Sequence, residues 1–133
     1  MNQMKKEKIR KTEEEWRRQL TPEQYRVCRD KGTEMPFTGD CSIPAGDGIY
    51  SCVCCGSELF KTGTKFESGT GWPSFWDPVD EDSIEYRTDR GFGMKRTEVN
   101  CAVCGAHLGH VFEDGPPPTG RRYCINSVAI ERK

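Results

Sequence analysis

The sequence predicts a mainly β domain of antiparallel sheets with a helical N-terminal arm, and three observations support this. Short segments of period-two character recur at 49 to 53, 83 to 87, 93 to 100 and 121 to 130, separated by Gly- and Pro-rich turns. No long helical pattern lies between them, which disfavours an alternating α/β architecture. Leu, Ile, Val and Phe together make up only 22 of 133 residues, yet the chain carries eight Cys, fourteen Gly, three Trp and a net charge of −1. That composition describes a small fold with a thin core, braced by sulfur chemistry.

The length suits one domain. Residues 1–20 read as a charged arm or helix and 21–133 as a single domain. The first eighteen residues interleave seven Lys or Arg with Glu7, Glu13, Glu14 and Glu15. Mixed charge of this kind marks a solvated segment, whereas a nucleic-acid contact needs cationic excess on one face. No stretch resembles a secretory signal or is long enough to span a bilayer. We therefore expect a monomer in the reducing cytoplasm, with no nucleic-acid or membrane partner. In that compartment paired cysteines point to metal binding or redox catalysis rather than to a disulfide framework.

Thr21-Pro22-Glu23-Gln24 starts a helix, with Thr21 as N-cap, Pro22 at the first helical position and Gln24 closing a capping box. Lys31-Gly32 ends it. Within it Tyr25 and Cys28 share a face, so Cys28 reads as a small buried residue. From Pro36 to Gly48 the composition is that of a loop, and Cys41 lies inside it.

Cys52-Val-Cys54-Cys55-Gly56 and Cys101-Ala-Val-Cys104-Gly105 are two copies of C-x-x-C-G, each directly after a strand candidate, with 45 residues between Cys55 and Cys101. Each turn presents two thiolates about one ion diameter apart, and the following Gly permits the left-handed backbone that wraps the metal. Cys52, Cys55, Cys101 and Cys104 are thus expected to hold one structural zinc ion, with no open position for water. A redox-active C-x-x-C pair is one competing reading. A site built from Cys101, Cys104, His107 and His110 is another, but it leaves Cys52 and Cys55 idle. Cys54 has Val103 as its counterpart and reads as packing.

In Arg121-Arg122-Tyr123-Cys124-Ile125-Asn126, strand alternation puts Arg122, Cys124 and Asn126 on one side and Tyr123 and Ile125 on the other. A guanidinium nearby favours the thiolate, the nucleophilic form of cysteine, although a buried strand-end Cys is also compatible with this stretch. Both histidines fall in His107-Leu108-Gly109-His110, close before Asp114; an adjacent carboxylate can fix an imidazole tautomer. The aromatic rings of Gly71-Trp72-Pro73-Ser74-Phe75-Trp76 either fill the core or wall a pocket for a methyl or thioether group.

Taken in order, C-x-x-C-G, S-G-T-G-W-P-S-F, the second C-x-x-C-G, H-L-G-H-V-F-E-D-G-P and R-Y-C-I-N-S resemble the methionine sulfoxide reductase B family, from about Thr21 to Ile130. The resemblance implies two small antiparallel sheets, a β-tent-like fold, with short N-terminal helices and a structural zinc. It also implies reduction of the R epimer of methionine sulfoxide, protein-bound or free, and repair of oxidised proteins. Cys124 would be the nucleophile that becomes a sulfenic acid. His110, with His107 and Asp114, would deliver the proton, Arg122 and Asn126 would keep the site electropositive and ordered, and Trp72 and Phe112 would bind substrate. A thioredoxin-like or other thiol would regenerate the enzyme.

One departure stands out. Where many members carry a resolving cysteine, this chain has Thr70. An external thiol, Cys41 or Cys28 would then have to reduce the sulfenic acid. The alternative from another class is a non-catalytic zinc-braced protein-binding module, which needs the four clamp cysteines but gives no reason for Cys124, His107, His110 and Trp72.

Overall fold

The computed structural model describes residues 8–33, 35, 47–90 and 95–132. Among these residues two short helices, α1 (Glu13–Gln19) and α2 (Pro22–Cys28), precede nine strands: β1 (Ile49–Cys52), β2 (Glu58–Lys61), β3 (Lys65–Phe66), β4 (Ser74–Phe75), β5 (Ile84–Asp89), β6 (Arg96–Cys101), β7 (His107–Phe112), β8 (Arg122–Ile125) and β9 (Ile130–Arg132). The strands form a three-stranded sheet, β2-β1-β9, and a six-stranded sheet, β3-β4-β8-β7-β6-β5, with every pairing antiparallel. No described helix is long and apolar enough to cross a membrane.

The helix start expected at Thr21 is present as a complete capping box, with Pro22 at its first turn. A second box, Thr12 with Glu15, opens α1. Tyr25 and Cys28 are both buried, and the chain leaves α2 through Lys31, which has a left-handed φ of 58°. The N-terminal segment is charged, but Trp16 is only 4% exposed. Its ring lies under the Arg29 guanidinium at 4.4 Å, so the amphipathic face of α1 packs onto α2.

The stretch read as one strand from 121 to 130 is two. β8 ends at Ile125, a 3₁₀ turn covers Ser127–Ala129, and β9 pairs with β1 in the other sheet. One stretch therefore crosses from sheet to sheet. Strand β7 was legible only as a chemical motif, because its glycine and two histidines obscure the alternation. The sheets meet through Phe60 of β2, stacked on Phe75 of β4 at 4.5 Å, with Leu59, Leu108, Tyr123 and Ile125 fully buried around them.

Candidate active site and cysteine cluster

The two C-x-x-C-G turns begin at the ends of β1 and β6, one in each sheet. They are folded alike. Gly56 N–H donates to the Cys52 carbonyl and Gly105 N–H to the Cys101 carbonyl, both at 2.8 Å. Gly56 and Gly105 have φ of 79° and 78°, the left-handed geometry that the motif requires. Their sulfurs converge: those of Cys52, Cys55, Cys101 and Cys104 all lie within 4.8 Å of one another. One metal ion can touch all four, and it would tie the three-stranded sheet to the six-stranded one. Hydrogen bonding among the thiols, first with Cys101, pushes Cys52, Cys55 and Cys104 above the ordinary thiol range. Cys101, bonded first by Cys104, is drawn below it. A cation among them would compensate the charge that four thiolates otherwise resist sharing. Cys54 is buried at 4% exposure, as packing requires.

The polypeptide also caps these turns from outside. Gln19 donates to the Cys54 carbonyl at 2.6 Å, Lys8 to that of Ala102 at 2.5 Å and Arg29 to that of Cys104 at 2.9 Å. The Ile9 amide donates to the Val103 carbonyl at 2.7 Å. The N-terminal arm thus closes over both turns.

Cys124 sits mid-strand in β8, half-buried, at a cleft of about 300 Å³. Alternation along β8 is as expected: Tyr123 and Ile125 are fully buried, while Arg122, Cys124 and Asn126 face the cleft. Trp72, Phe112 and His110 line the same cleft. The Trp72 loop is held by the Ile125 amide, which donates to the Pro73 carbonyl at 2.9 Å. Thr70 also reaches the cleft and hydrogen-bonds Ser68 at 2.8 Å, stiffening the loop. Arg122 lies over the Phe112 ring at 4.5 Å and donates twice to Asp114, at 2.9 and 3.1 Å. That guanidinium holds the Asp114 carboxyl below its usual range. The side-chain amide of buried Asn126 donates to the Leu108 carbonyl at 3.0 Å.

Register brings these groups together. Directly opposed residues of antiparallel strands project to one face, so Glu98, His110, Cys124 and Ser74 form a row across β6, β7, β8 and β4. In a regular strand His107 and His110, three apart, would face opposite sides. An extra residue at Leu108, where the register shifts from Val99↔Gly109 to Asn100↔His107, returns them to the same side. Their rings meet edge-on at 5.5 Å. His107 is buried behind His110 and does not line the cleft.

The carboxylates that meet the histidines are not the expected one. Asp114 is taken by Arg122, whereas His107 Nδ1 lies 2.7 Å from Glu98 and His110 Nε2 lies 2.9 Å from Asp89. Burial pushes His107 below its ordinary value, against the pull of Glu98. Glu98 and Asp89 escaped the sequence reading because they lie on other strands. The signal available was the alternation Arg96, Glu98, Asn100, a polar face on a strand whose other face carries the buried Val99 and Cys101. Cys28 is 2% exposed and does not line the cleft. Cys41 lies outside the described residues.

A two-sheet β protein that brings four cysteines together and presents one further thiol in a cleft lined by arginine and aromatic side chains has the parts of a thiol enzyme. Its particular kinship comes from comparison: the SelR domain matches residues 20–133, and the chain belongs to this family, the methionine sulfoxide reductase B family that its motifs resemble. Proteins named peptide methionine sulfoxide reductase MsrB are similar over nearly the whole chain. The one from Methanosarcina mazei is 58% identical, covering 96% of this chain and 91% of its own length. That from Pseudomonas putida is 60% identical over 93% of this chain and 95% of its own. A third, from Hahella chejuensis, is 55% identical over 93% of this chain and 89% of its own.

Proposed function

We propose that this protein reduces the R epimer of methionine sulfoxide, protein-bound or free, to methionine and so repairs oxidised proteins. The observation that carries the reading is Cys124 in one cleft with Trp72, Phe112, His110, Arg122 and Asn126. Trp72 and Phe112 offer an apolar wall to the methyl and thioether carbons, against which sulfur packs favourably. The cations of the cleft favour the Cys124 thiolate. That thiolate attacks the sulfoxide sulfur while His110 protonates the oxygen, which otherwise leaves poorly. The sulfoxide S–O bond breaks as the protonated oxygen passes to the Cys124 sulfur, the transient bond between the two sulfurs breaks with it, methionine departs, and Cys124 is left as a sulfenic acid. A thiol then condenses with the sulfenic acid, releasing water and forming a disulfide, and a second thiol reduces that disulfide. Overall, two thiols become one disulfide for each sulfoxide reduced.

Enclosure of Cys28 in the core supports recycling by an external thiol, such as a thioredoxin-like protein, or by Cys41. In the cluster, Cys52 lies 3.7 Å from Cys104 and Cys55 lies 3.6 Å from Cys101. Tetrahedral zinc with sulfur at about 2.3 Å separates its ligands by about 3.8 Å, so zinc is the ion we assign, in a structural role because four thiolates close its shell. The catalytic domain in this reading is 21–133, a monomer of the reducing cytoplasm that contacts neither nucleic acid nor membrane. A purely zinc-braced binding module leaves the contents of the cleft without a purpose.

The test is turnover with each epimer of methionine sulfoxide, free and peptide-bound. Only the R epimer should be consumed. Cys124→Ser should lower turnover by about 10³-fold or more with one zinc per chain retained. Retained turnover would remove Cys124 from the mechanism. Peptide mapping after a single turnover without reductant distinguishes a Cys41–Cys124 disulfide from a free sulfenic acid.

A further inference from the structure

We propose that Asp89 is a positioning residue for this chemistry: its carboxylate fixes His110 with a proton on Nε2, so that proton exchange with the substrate oxygen runs through Nδ1. The inference rests on the sulfoxide reduction proposed above.

Its basis is one shared oxygen. Oδ2 of Asp89 lies 2.9 Å from His110 Nε2 and 3.1 Å from a terminal nitrogen of Arg96. A guanidinium keeps its protons throughout the working range and only donates, and a carboxylate oxygen held by one is ionised and only accepts. The hydrogen bond from His110 therefore has one possible direction, with Nε2–H as donor. Which nitrogen of an imidazole is protonated follows from the partner of the other, and Nδ1 is left as the atom that gains and loses the exchangeable proton.

The surroundings of His110 support this assignment. His107 meets it edge-on but is committed to Glu98, which also faces Lys31 at 3.5 Å. Arg122 is committed to Asp114, and Cys124 is the group to be served. Among the described residues, the Asp89 carboxylate lies within hydrogen-bond reach of the His110 ring. Asp89 is absent from the lining of the Cys124 cleft and lines the adjoining hollow with Arg96, Glu98 and His107, which suits a residue that acts through His110. Register explains how it arrives there: Asp89 opposes Arg96 at the far end of the β5–β6 hairpin, one same-face step from the row that holds His110.

The experiment uses full-length, zinc-loaded protein with ¹⁵N-labelled histidine. Long-range proton–nitrogen correlation above the histidine titration range reads the tautomer of His110 in the wild type, Asp89→Asn and Asp89→Ala. The wild type should show Nε2–H, and Asp89→Ala should lose that preference. For Asp89→Asn and Asp89→Ala, kcat should fall on the order of 10²-fold with KM within about twofold; Asp89→Glu should recover part of the loss. An Nδ1–H tautomer in the wild type would overturn the proposal. So would a fall in kcat of Asp89→Ala with its Nε2–H undisturbed, which would mark a structural effect, and so would an unchanged kcat in Asp89→Ala. Because the spectra need no substrate, failure of the wild type to reduce sulfoxide would count against the proposed function while the tautomer of His110 is still decided.

Discussion

The cysteine cluster and the thiol cleft both draw on the six-stranded sheet, the first from the end of β6 and the second from the middle of β8, and they treat sulfur in opposite ways. At the cluster, four sulfurs lie within 4.8 Å of one another in two turns that match hydrogen bond for hydrogen bond. Nothing in that arrangement leaves a ligand position open. In the cleft, Cys124 is half-buried among groups from different strands, with His110 on β7 and Trp72 on the loop before β4. Closure makes sulfur structural. An open side, with protons and cations at hand, makes it reactive. Stability and chemistry are therefore separable here, and each should be open to damage without loss of the other.

The largest expected effect breaks the structural pole. Stripping the metal with a chelator should cost on the order of 10 kcal/mol, because a thin core then has to hold two sheets without their clamp. Loss of near-UV circular dichroism and a collapsed thermal transition would register it. A protein with its native spectrum and melting point intact after complete metal removal would contradict the energetic role given to the cluster.

The next effect targets the cleft alone. A Cβ on Gly109 would lie 2.0 Å from the Cys124 carbonyl oxygen, and backbone cannot step aside as a flexible side chain can. Gly109→Ala should push β8 away, cost about 1–3 kcal/mol in a denaturant titration and lower kcat/KM by about 10²-fold through misplacement of the thiol. Metal content should stay at one per chain. Loss of metal in this variant would show that the two regions are mechanically coupled.

A smaller effect sharpens the picture of the structural pole. Arg29 and Gln19 hold carbonyls of the two C-x-x-C-G turns. Replacing either with Ala should weaken metal affinity by about tenfold, the lower end of what outer partners of a metal site contribute, as read by competition with a chromogenic chelator. Turnover of the fully loaded variants should match the wild type.

The smallest effect is one of pH. Burial depresses His107, so the unfolded chain binds a proton at a pH where the folded protein does not. That contribution to stability is present above the ordinary histidine value and is lost as pH falls below it. Denaturant midpoints should decline between pH 7 and 5, less steeply in His107→Asn than in the wild type.

Much of both regions was legible in the linear chain, but for different reasons. The two C-x-x-C-G turns, their glycines and the capping box at Thr21 depend on neighbours within five residues, so local spacing and backbone sterics suffice to read them. The Arg122, Cys124 and Asn126 face was legible because alternation is also a local property. What was misread depends on distance in sequence. Asp114 looked like the partner of the histidines because it lies four residues from His110, yet in space it answers Arg122, and Asp89, 21 residues away, takes its place.

By itself, then, the sequence determined a β protein with a four-cysteine clamp and a candidate nucleophile, since each is written in short, contiguous patterns. Only the tertiary structure decided which acid meets which imidazole. Strand register sets the row of Glu98, His110 and Cys124, and one extra residue at Leu108 brings His107 to the side of His110. Side chains alternate with a period of two, so a single inserted residue reverses every face beyond it, and that insertion becomes legible only once a partner strand is paired beside it.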